Sequence, residues 1–279
     1  KDYEKIKEAV FKYGGVQTSI YNALRSSQSS SPYYNKSTDA YCYIGTEKPN
    51  HDVVIVGWDD SYSKDNFNTD LEGDGAFICQ NSWGDNFGEN GFFYISYYDT
   101  NIGTHNVVYT DIENTDNYDH IYQSDLCGWV GQLGYNKDSI YGANVFTAEG
   151  NETLKAASFY ATGKDSQYEL YVVRQFEDET SLEKMIPVAS GKLGNAGYYT
   201  VDFNQGIEVD AGERYAVVLY IITPGSVHPM AIEYAADEAT ENVDLDDGES
   251  YISANGSKWV SVDTVEKSNL CIKAFSDNR

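Results

Sequence analysis

The sequence predicts a mainly β, α+β protein with one α-helix, placed at its start. The chain of 279 residues contains 25 tyrosines, and aromatic side chains pack well on the pleated surface of strands. Short runs of alternating polar and apolar residues, separated by Gly, Asn and Asp turns, fill most of the later sequence. This pattern of short alternating runs begins near residue 115, so we expect two domains, residues 1–115 and residues 116–279.

The first element is predicted to be an amphipathic helix in "KDYEKIKEAVFKYGG". Ile6, Ala9, Val10 and Tyr13 fall on one face at helical spacing, and the two glycines supply a C-terminal stop. Strands are predicted to follow at "VQTSIY", "HDVVIVGW", "AFICQN" and "FFYISYY". The stretch "SSQSSSPYYNKS" is expected to be a polar, exposed loop. The continuous apolar run in "HDVVIVGW" predicts a strand covered on both faces.

The second domain is predicted to be an antiparallel β-sandwich. Segments such as "NVFTAEGNETLKAASFY", "GYYTVDF" and "GERYAVVL" have the short alternating strands and frequent turns of that architecture. No substantial helix is expected in it. The linker is expected in "DIENTDNYDH", residues 111–120.

Charge and composition exclude several kinds of partner. The net charge is −25 and the pI is about 4.3, which argues against binding to nucleic acids or anionic membranes. No stretch approaches the ~20 apolar residues that span a bilayer, so the protein is not expected to be membrane-spanning. This acidity suits a secreted or cell-surface protein, and a merely soluble surface is the plainer interpretation.

Neither a cofactor nor a metal is predicted, with calcium as the one alternative. The four cysteines are too scattered for a disulfide framework and lack the paired spacing of a zinc site. Two acidic stretches, residues 59–74 and 237–250, offer oxygen ligands for calcium. Neither has the spacing of an EF-hand loop, so solvated surface charge is the favoured interpretation.

Two separated residues are candidates for chemistry. His51 opens one predicted strand and Asn81 follows the next, so pairing of these strands would bring the two side chains together. An amide oxygen can fix the tautomer and orientation of an imidazole without adding charge. Trp83 is expected to cover that hydrogen bond, within a tight turn allowed by nearby glycines. The plain alternative for a single histidine before a strand is a structural hydrogen bond.

These motifs resemble the papain-like cysteine peptidases. "NHDVVIVGWDD" followed by "GAFICQNSWGDNFGENGFFYISY" is similar to the C-terminal half of their catalytic domain, and the resemblance covers about residues 1–110. It implies the β-rich lobe of the papain-like fold. It also implies that His51 is the general base, that Asn81 orients it, and that Trp83 shields their contact. Asp52, which follows the histidine, and Ser19 are weaker candidates for the substrate pocket, where Asp52 would favour a basic side chain.

The family's nucleophilic cysteine has no counterpart at the expected place. Its segment lies more than a hundred residues before the histidine in the family, and only 50 residues precede His51 here. We therefore expect an N-terminal segment or second chain to supply it, and expect this chain alone to be inactive. Cys42 and Cys79 are the alternatives within the chain. Cys79 lies in an apolar run, and Cys42 does not begin a helix that would depress its pKa.

The later region, about residues 120–275, resembles the lectin-like β-sandwich that follows some bacterial papain-like peptidases. A glycan is therefore a possible partner, beside the peptide or protein substrate. Sugar binding would need exposed aromatic side chains beside polar groups. The candidates by residue type are Tyr198, Tyr199, Trp129 and Trp259.

The sequence thus predicts the C-terminal portion of a bacterial, secreted or surface-displayed papain-like cysteine endopeptidase. The alternative is a non-catalytic adhesion or carbohydrate-binding protein whose peptidase-like lobe has degenerated.

Overall fold

The computed structural model describes residues 2–279, which fall into two compact units. One unit ends at Glu113 and the other spans Asn114–Arg279. The sequence placed the boundary two residues later, between residues 115 and 116. Strands dominate both units, and the described residues contain a single α-helix, so the predicted mainly β fold class is confirmed.

The first unit contains helix α1 and six strands that form one sheet. The elements are α1 Tyr3–Tyr13, β1 Val16–Ile20, β2 Tyr34–Asn35, β3 Ala40–Tyr41, β4 His51–Asp59, β5 Ala76–Gln80 and β6 Phe92–Ser96. Their order across the sheet is β1-β4-β5-β6-β3-β2. All neighbours are antiparallel except β3 and β6. A 3₁₀ turn, Lys64–Asn66, lies in the long loop between β4 and β5.

Helix α1 is capped at both ends by its own sequence. The side chain of Asp2 accepts a hydrogen bond from the amide of Lys5, as an N-cap does. Gly14 adopts a left-handed conformation, φ 85°, and its N–H reaches Val10 O at 2.8 Å. Ile6 and Val10 are buried as predicted, whereas Tyr13, at the last helical position, is exposed.

Strand β4 is covered on one face only, so the prediction of two covered faces was wrong. Val53 and Ile55 are buried in the core, while Val54 between them is 36% exposed. The strands beside β4 are antiparallel, and an antiparallel sheet can leave one face toward solvent. An apolar run alone does not distinguish the two arrangements.

The loop predicted to be polar and exposed contains a buried aromatic residue. Tyr34 is only 7% exposed and begins strand β2. Its ring stacks on Phe87, with centroids 5.6 Å apart and planes at 17°. The polar stretch around Tyr34, rich in serine, gives no indication of this contact.

The second unit contains thirteen strands. They are β7 His120–Tyr122, β8 Gly131–Leu133, β9 Ser139–Thr147, β10 Glu152–Ala161, β11 Ser166–Val173, β12 Ile186–Leu193, β13 Gly197–Val209, β14 Arg214–Ile222, β15 Met230–Glu233, β16 Ser250–Ser253, β17 Val260–Ser261, β18 Asn269–Leu270 and β19 Ile272–Asn278. Two 3₁₀ turns, Glu179–Glu183 and Val262–Thr264, are its only helical segments.

These strands form a sandwich of two antiparallel sheets. One sheet has the order β13-β10-β19-β7 and the other β12-β11-β14-β9-β16-β17, with a small third sheet, β18-β15-β8, beside them. The main core lies between the inner faces, where Phe159 of β10 packs against Tyr168 of β11 at 5.2 Å between centroids. Among residues 2–279, no helix has the length and apolar character needed to cross a membrane.

Candidate active site

His51 stands at the first position of β4, where the chain enters the sheet. Its backbone pairs with Ile20 at the end of β1. Asn50, just before it, fixes this corner: its amide oxygen accepts from Asn22 N at 2.7 Å and its amide nitrogen donates to Asn22 O at 3.2 Å. The position of the imidazole is therefore set by a sheet end and by a side-chain clamp. Sequence reasoning quoted Asn50 in the motif but gave it no role.

Asn81 follows β5, the strand beside β4, and is 8% exposed. Its backbone N–H donates to Gly91 O at 2.9 Å, which fixes the residue against the following turn. Its side-chain Oδ1 lies 2.8 Å from His51 Nε2, and also accepts from Ser82 N at 2.8 Å. The structure thus brings together the two residues that are thirty positions apart in sequence.

The hydrogen bond to Asn81 determines the tautomer of a neutral His51. An amide oxygen only accepts, so Nε2 must carry the hydrogen. In a neutral ring the other nitrogen, Nδ1, then keeps its lone pair. The arrangement presents Nδ1 as a base while Asn81 holds the ring from behind.

Aromatic side chains pack around this pair. The Trp83 indole lies 5.4 Å from the His51 ring, centroid to centroid, at 39°. Behind it, Phe87 contacts Trp83 edge-on at 5.2 Å and is 1% exposed. Phe87 also contacts Phe93 at 5.1 Å. Tyr34, missed by the sequence interpretation, stacks on Phe87 in turn.

The turn that carries Trp83 depends on glycine at one position in particular. Gly88 has φ 55°, in the left-handed region. A Cβ atom there would lie 2.1 Å from the carbonyl oxygen of Phe92. That oxygen accepts the N–H of Glu89 at 2.8 Å and closes the turn.

Asp52 and Ser19 line a pocket beside His51. They are cross-strand partners, and Ser19 Oγ donates to Asp52 Oδ1 at 2.7 Å. Gln17 Nε2 donates to the other carboxylate oxygen at 3.2 Å. The pocket has a volume of about 330 Å³ and is completed by Pro49, Asn50 and His51. Both weaker sequence candidates therefore line the same pocket as His51.

Family comparison gives a match for each unit. The model of the papain family cysteine proteases matches residues 1–112. The model of the lectin like domain matches residues 121–276, more than half of the chain. The chain joins a papain-family unit to a lectin-like domain. The resemblances inferred from the motifs are thereby confirmed.

Two solved structures are similar to both units together. One is a clostridial cysteine protease, Cwp84, after propeptide cleavage, with 29% identity, a TM-score of 0.83 and coverage of 99% of this chain and 68% of that chain. The other contains the cysteine protease and lectin-like domains of Cwp84, a surface layer associated protein of Clostridium difficile, with 27% identity and a TM-score of 0.80. It covers 100% of this chain and 62% of that one. No curated protein matches.

The two cysteines of the papain-family unit are both buried. Cys79 is fully buried, and burial raises the pKa of its thiol well above the ordinary value. Cys42 is also buried, in a small apolar cluster with Phe67 and Leu71 that does not include His51. Low dielectric disfavours a thiolate, so neither thiol has the surroundings of a nucleophile.

Thiol reactivity should follow this burial. We expect Ellman's reagent to modify Cys127, the exposed cysteine, in the folded protein. Cys42, Cys79 and Cys271 are buried and should react only as the protein unfolds. The Cys127→Ser variant should then show no fast-reacting thiol. A second rapidly modified thiol in the folded protein would contradict the placement of these side chains.

The remaining sequence candidates are the calcium alternative and the aromatic residues of the lectin-like domain. Among residues 2–279, no group of three or more His, Cys, Asp or Glu side chains has a metal-binding arrangement. The calcium alternative stays a prediction. In the lectin-like domain, Trp129 and Tyr198 are exposed and both contact Tyr160, at 5.9 and 5.0 Å. Trp259 is buried at 9% exposure, so its selection as an exposed aromatic was wrong.

Proposed function

We propose that this chain is the C-terminal portion of a papain-like cysteine endopeptidase, with His51 and Asn81 as two of its three catalytic residues. The observation that carries the proposal is the 2.8 Å contact between His51 Nε2 and Asn81 Oδ1, which leaves Nδ1 as the base. The papain-family match over residues 1–112 supports it. Since the local cysteines are buried, the nucleophile comes from an N-terminal segment or chain outside residues 1–279.

The proposed reaction uses the two nitrogens of His51 for different tasks. Nδ1 accepts the proton of the incoming thiol, and Asn81 steadies the imidazolium through Nε2–H. The thiolate adds to the peptide carbonyl, and the imidazolium then protonates the leaving amine as the C–N bond breaks. Water, deprotonated by the same nitrogen, hydrolyses the resulting thioester and regenerates the thiol. The Trp83 indole limits competition by water for the His51–Asn81 hydrogen bond.

We also propose a secreted or cell-surface location. The net charge of −25 suits a solvated surface. One similar structure is that of a surface layer associated bacterial protein.

The proposal is tested by comparing the chain alone with the chain joined to its upstream residues. Incubation with a broad peptide substrate should give no turnover for the isolated chain. The joined polypeptide should cleave the substrate, and iodoacetamide should abolish that cleavage. Thiol-inhibitable turnover by the isolated chain would refute the proposed origin of the nucleophile, and inactivity of the joined polypeptide would refute the peptidase.

A second candidate function, a non-catalytic carbohydrate-binding or adhesion protein, is favoured by one observation. The lectin-like domain spans residues 121–276, the larger part of the chain. A serine or glycine at the upstream nucleophile position would support this candidate, because neither supplies a thiolate. A cysteine there supports the peptidase.

Asp52 is proposed to select basic side chains in the adjoining pocket. The Asp52→Asn variant keeps an oxygen for Ser19 but removes the negative charge. We expect the preference for a basic over a neutral substrate side chain to fall about fivefold in kcat/KM, the scale of an exposed ion pair. Asp59→Asn, at the other end of β4, is the matched control and should leave the preference unchanged. If both variants lowered this preference equally, the change would reflect the net charge of the protein and not the position of Asp52.

A further inference from the structure

The outer face of the six-stranded sheet carries two rows of side chains fixed by strand register. The first row runs Ser190, Glu169, Tyr220, Tyr141 across β12, β11, β14 and β9. In the second row, Gln167 of β11 lies between Lys192 and Ile222. Residues two apart on a strand share a face. The rows therefore lie side by side on the surface opposite the sandwich core.

The rest of this outer face is covered by other parts of the domain. Val173, Ala143 and Val218 are buried there under Phe176 and Leu182. Coverage ends where the outward residues change from small and apolar to polar and aromatic. A depression of about 260 Å³ remains at that point, and its lining includes Gln167, Glu169, Ser190, Lys192, Tyr220 and Ile222.

The depression combines an aromatic ring with side chains that form hydrogen bonds, some of them charged and some neutral. Tyr220 stacks on Tyr141, with centroids 4.2 Å apart and planes at 22°, so the Tyr220 ring is held in place. The Tyr171 hydroxyl donates to a carboxylate oxygen of Glu169 and orients it. Lys192 provides a cationic donor, and Gln167 and Ser190 provide neutral donors and acceptors.

An unsatisfied polar atom belongs to Trp259, which contacts Tyr141, the ring on which Tyr220 stacks. Trp259 packs edge-on against Tyr141 at 6.2 Å and is 9% exposed. Its indole Nε1 is buried and has no hydrogen-bond partner within residues 2–279. Native structures rarely leave such a donor unpaired.

We propose that this depression is a carbohydrate site that takes one pyranose unit of a glycan. A pyranose has an apolar C–H face, which would pack on the Tyr220 ring, and peripheral hydroxyl groups, which would bond Glu169, Gln167 and Lys192. Binding sites of this kind combine an aromatic surface with a few convergent polar groups. The proposal concerns the lectin-like domain alone and does not depend on the proposed peptidase activity.

A second aromatic group in this domain is the alternative candidate for a carbohydrate site. Trp129 and Tyr198 are exposed and pack against Tyr160, which lies with Tyr198 in the four-stranded sheet. The Tyr198 hydroxyl is already engaged, as it donates to Ser158 Oγ at 2.6 Å. The depression beside Tyr220 combines a fixed ring with four polar side chains, and we favour it for that reason.

Saturation-transfer difference NMR on the whole chain tests the proposal. The probes are the methyl pyranosides of glucose, galactose, mannose, N-acetylglucosamine and N-acetylgalactosamine. We expect at least one to receive saturation from the protein. Its affinity should fall about tenfold in Glu169→Gln, which removes a hydrogen bond to a charged group, and at least as much in Tyr220→Ala.

Trp129→Ala and Tyr198→Ala are the controls, and both should bind the same pyranoside as the unchanged protein. Glu169→Gln changes only an exposed side chain, so it keeps the test valid if Tyr220→Ala disturbs the sheet. Binding that survives both site variants, or that is lost in the Trp129 and Tyr198 variants instead, would overturn the proposal. The proposal would also be overturned if none of the five pyranosides received saturation.

Discussion

Replacing His51 by alanine in the chain joined to its upstream residues should lower kcat/KM for peptide cleavage by about 10⁴-fold or more. Catalytic groups that act as a unit lose nearly all of their effect when one member is removed. Without the imidazole, no base accepts the thiol proton and no acid protonates the leaving amine. The effect should appear mainly in kcat, because the proposed role of His51 is on the bonds that change. Steady-state kinetics with a fluorogenic peptide provide the measurement.

His105→Ala is the matched control. It removes an imidazole from the same unit, at a residue outside the described site, and should leave kcat/KM nearly unchanged. A His51→Ala enzyme that keeps more than about a hundredth of the activity would contradict the assignment of His51 as the base, because general acid–base catalysis contributes about 10²–10⁴-fold.

Replacing Phe87 by alanine should cost the papain-family unit about 3–5 kcal/mol of unfolding free energy. Phe87 is 1% exposed and its ring is surrounded by Trp83, Tyr34 and Phe93. Its removal leaves a cavity beneath the indole, and a buried Phe→Ala substitution has this magnitude. Urea unfolding followed by hydrogen exchange of peptides from β4 and β5 would measure the loss in this unit separately from the lectin-like domain.

Phe11→Ala makes the same chemical change at a ring that is 86% exposed. It should change the unfolding free energy by less than about 0.5 kcal/mol. If both substitutions lowered the unfolding free energy equally, the contacts of Phe87 with its aromatic neighbours would not be what stabilises the turn.

The candidate site was largely readable from sequence because its residues lie at strand ends. His51 begins β4 and Asn81 directly follows β5, and the nearby glycines permit the tight turn after Asn81. Strand pairing then dictates their proximity. The sequence also indicated Asp52 and Ser19, whose contact follows from the pairing of β1 with β4.

Packing that depends on tertiary structure could not be predicted in the same way. Tyr34 sits among serines and polar residues, and nothing local indicates that it stacks on Phe87. Val54 belongs to an apolar run, and its exposure depends on whether a second layer covers β4. Trp259 was selected by residue type as an exposed aromatic, yet the outer face of the sandwich is partly covered and buries it.

The carbohydrate site shows a similar limit. Glu169 and Tyr220 are separated by about fifty residues, and only the register of β11 and β14 makes them neighbours. Strand alternation predicts which residues share a face, but it does not predict which strands pair or in what register.

The tautomer of His51 tests the central claim most directly, and it can be measured on this chain as it stands. Long-range ¹H–¹⁵N correlation spectra at mildly alkaline pH distinguish a protonated Nε2 from a protonated Nδ1. The account predicts the Nε2–H form for His51, and a mixture of both tautomers in Asn81→Ala. A predominant Nδ1–H tautomer, or a spectrum unchanged in Asn81→Ala, would contradict the arrangement of base and orienting amide.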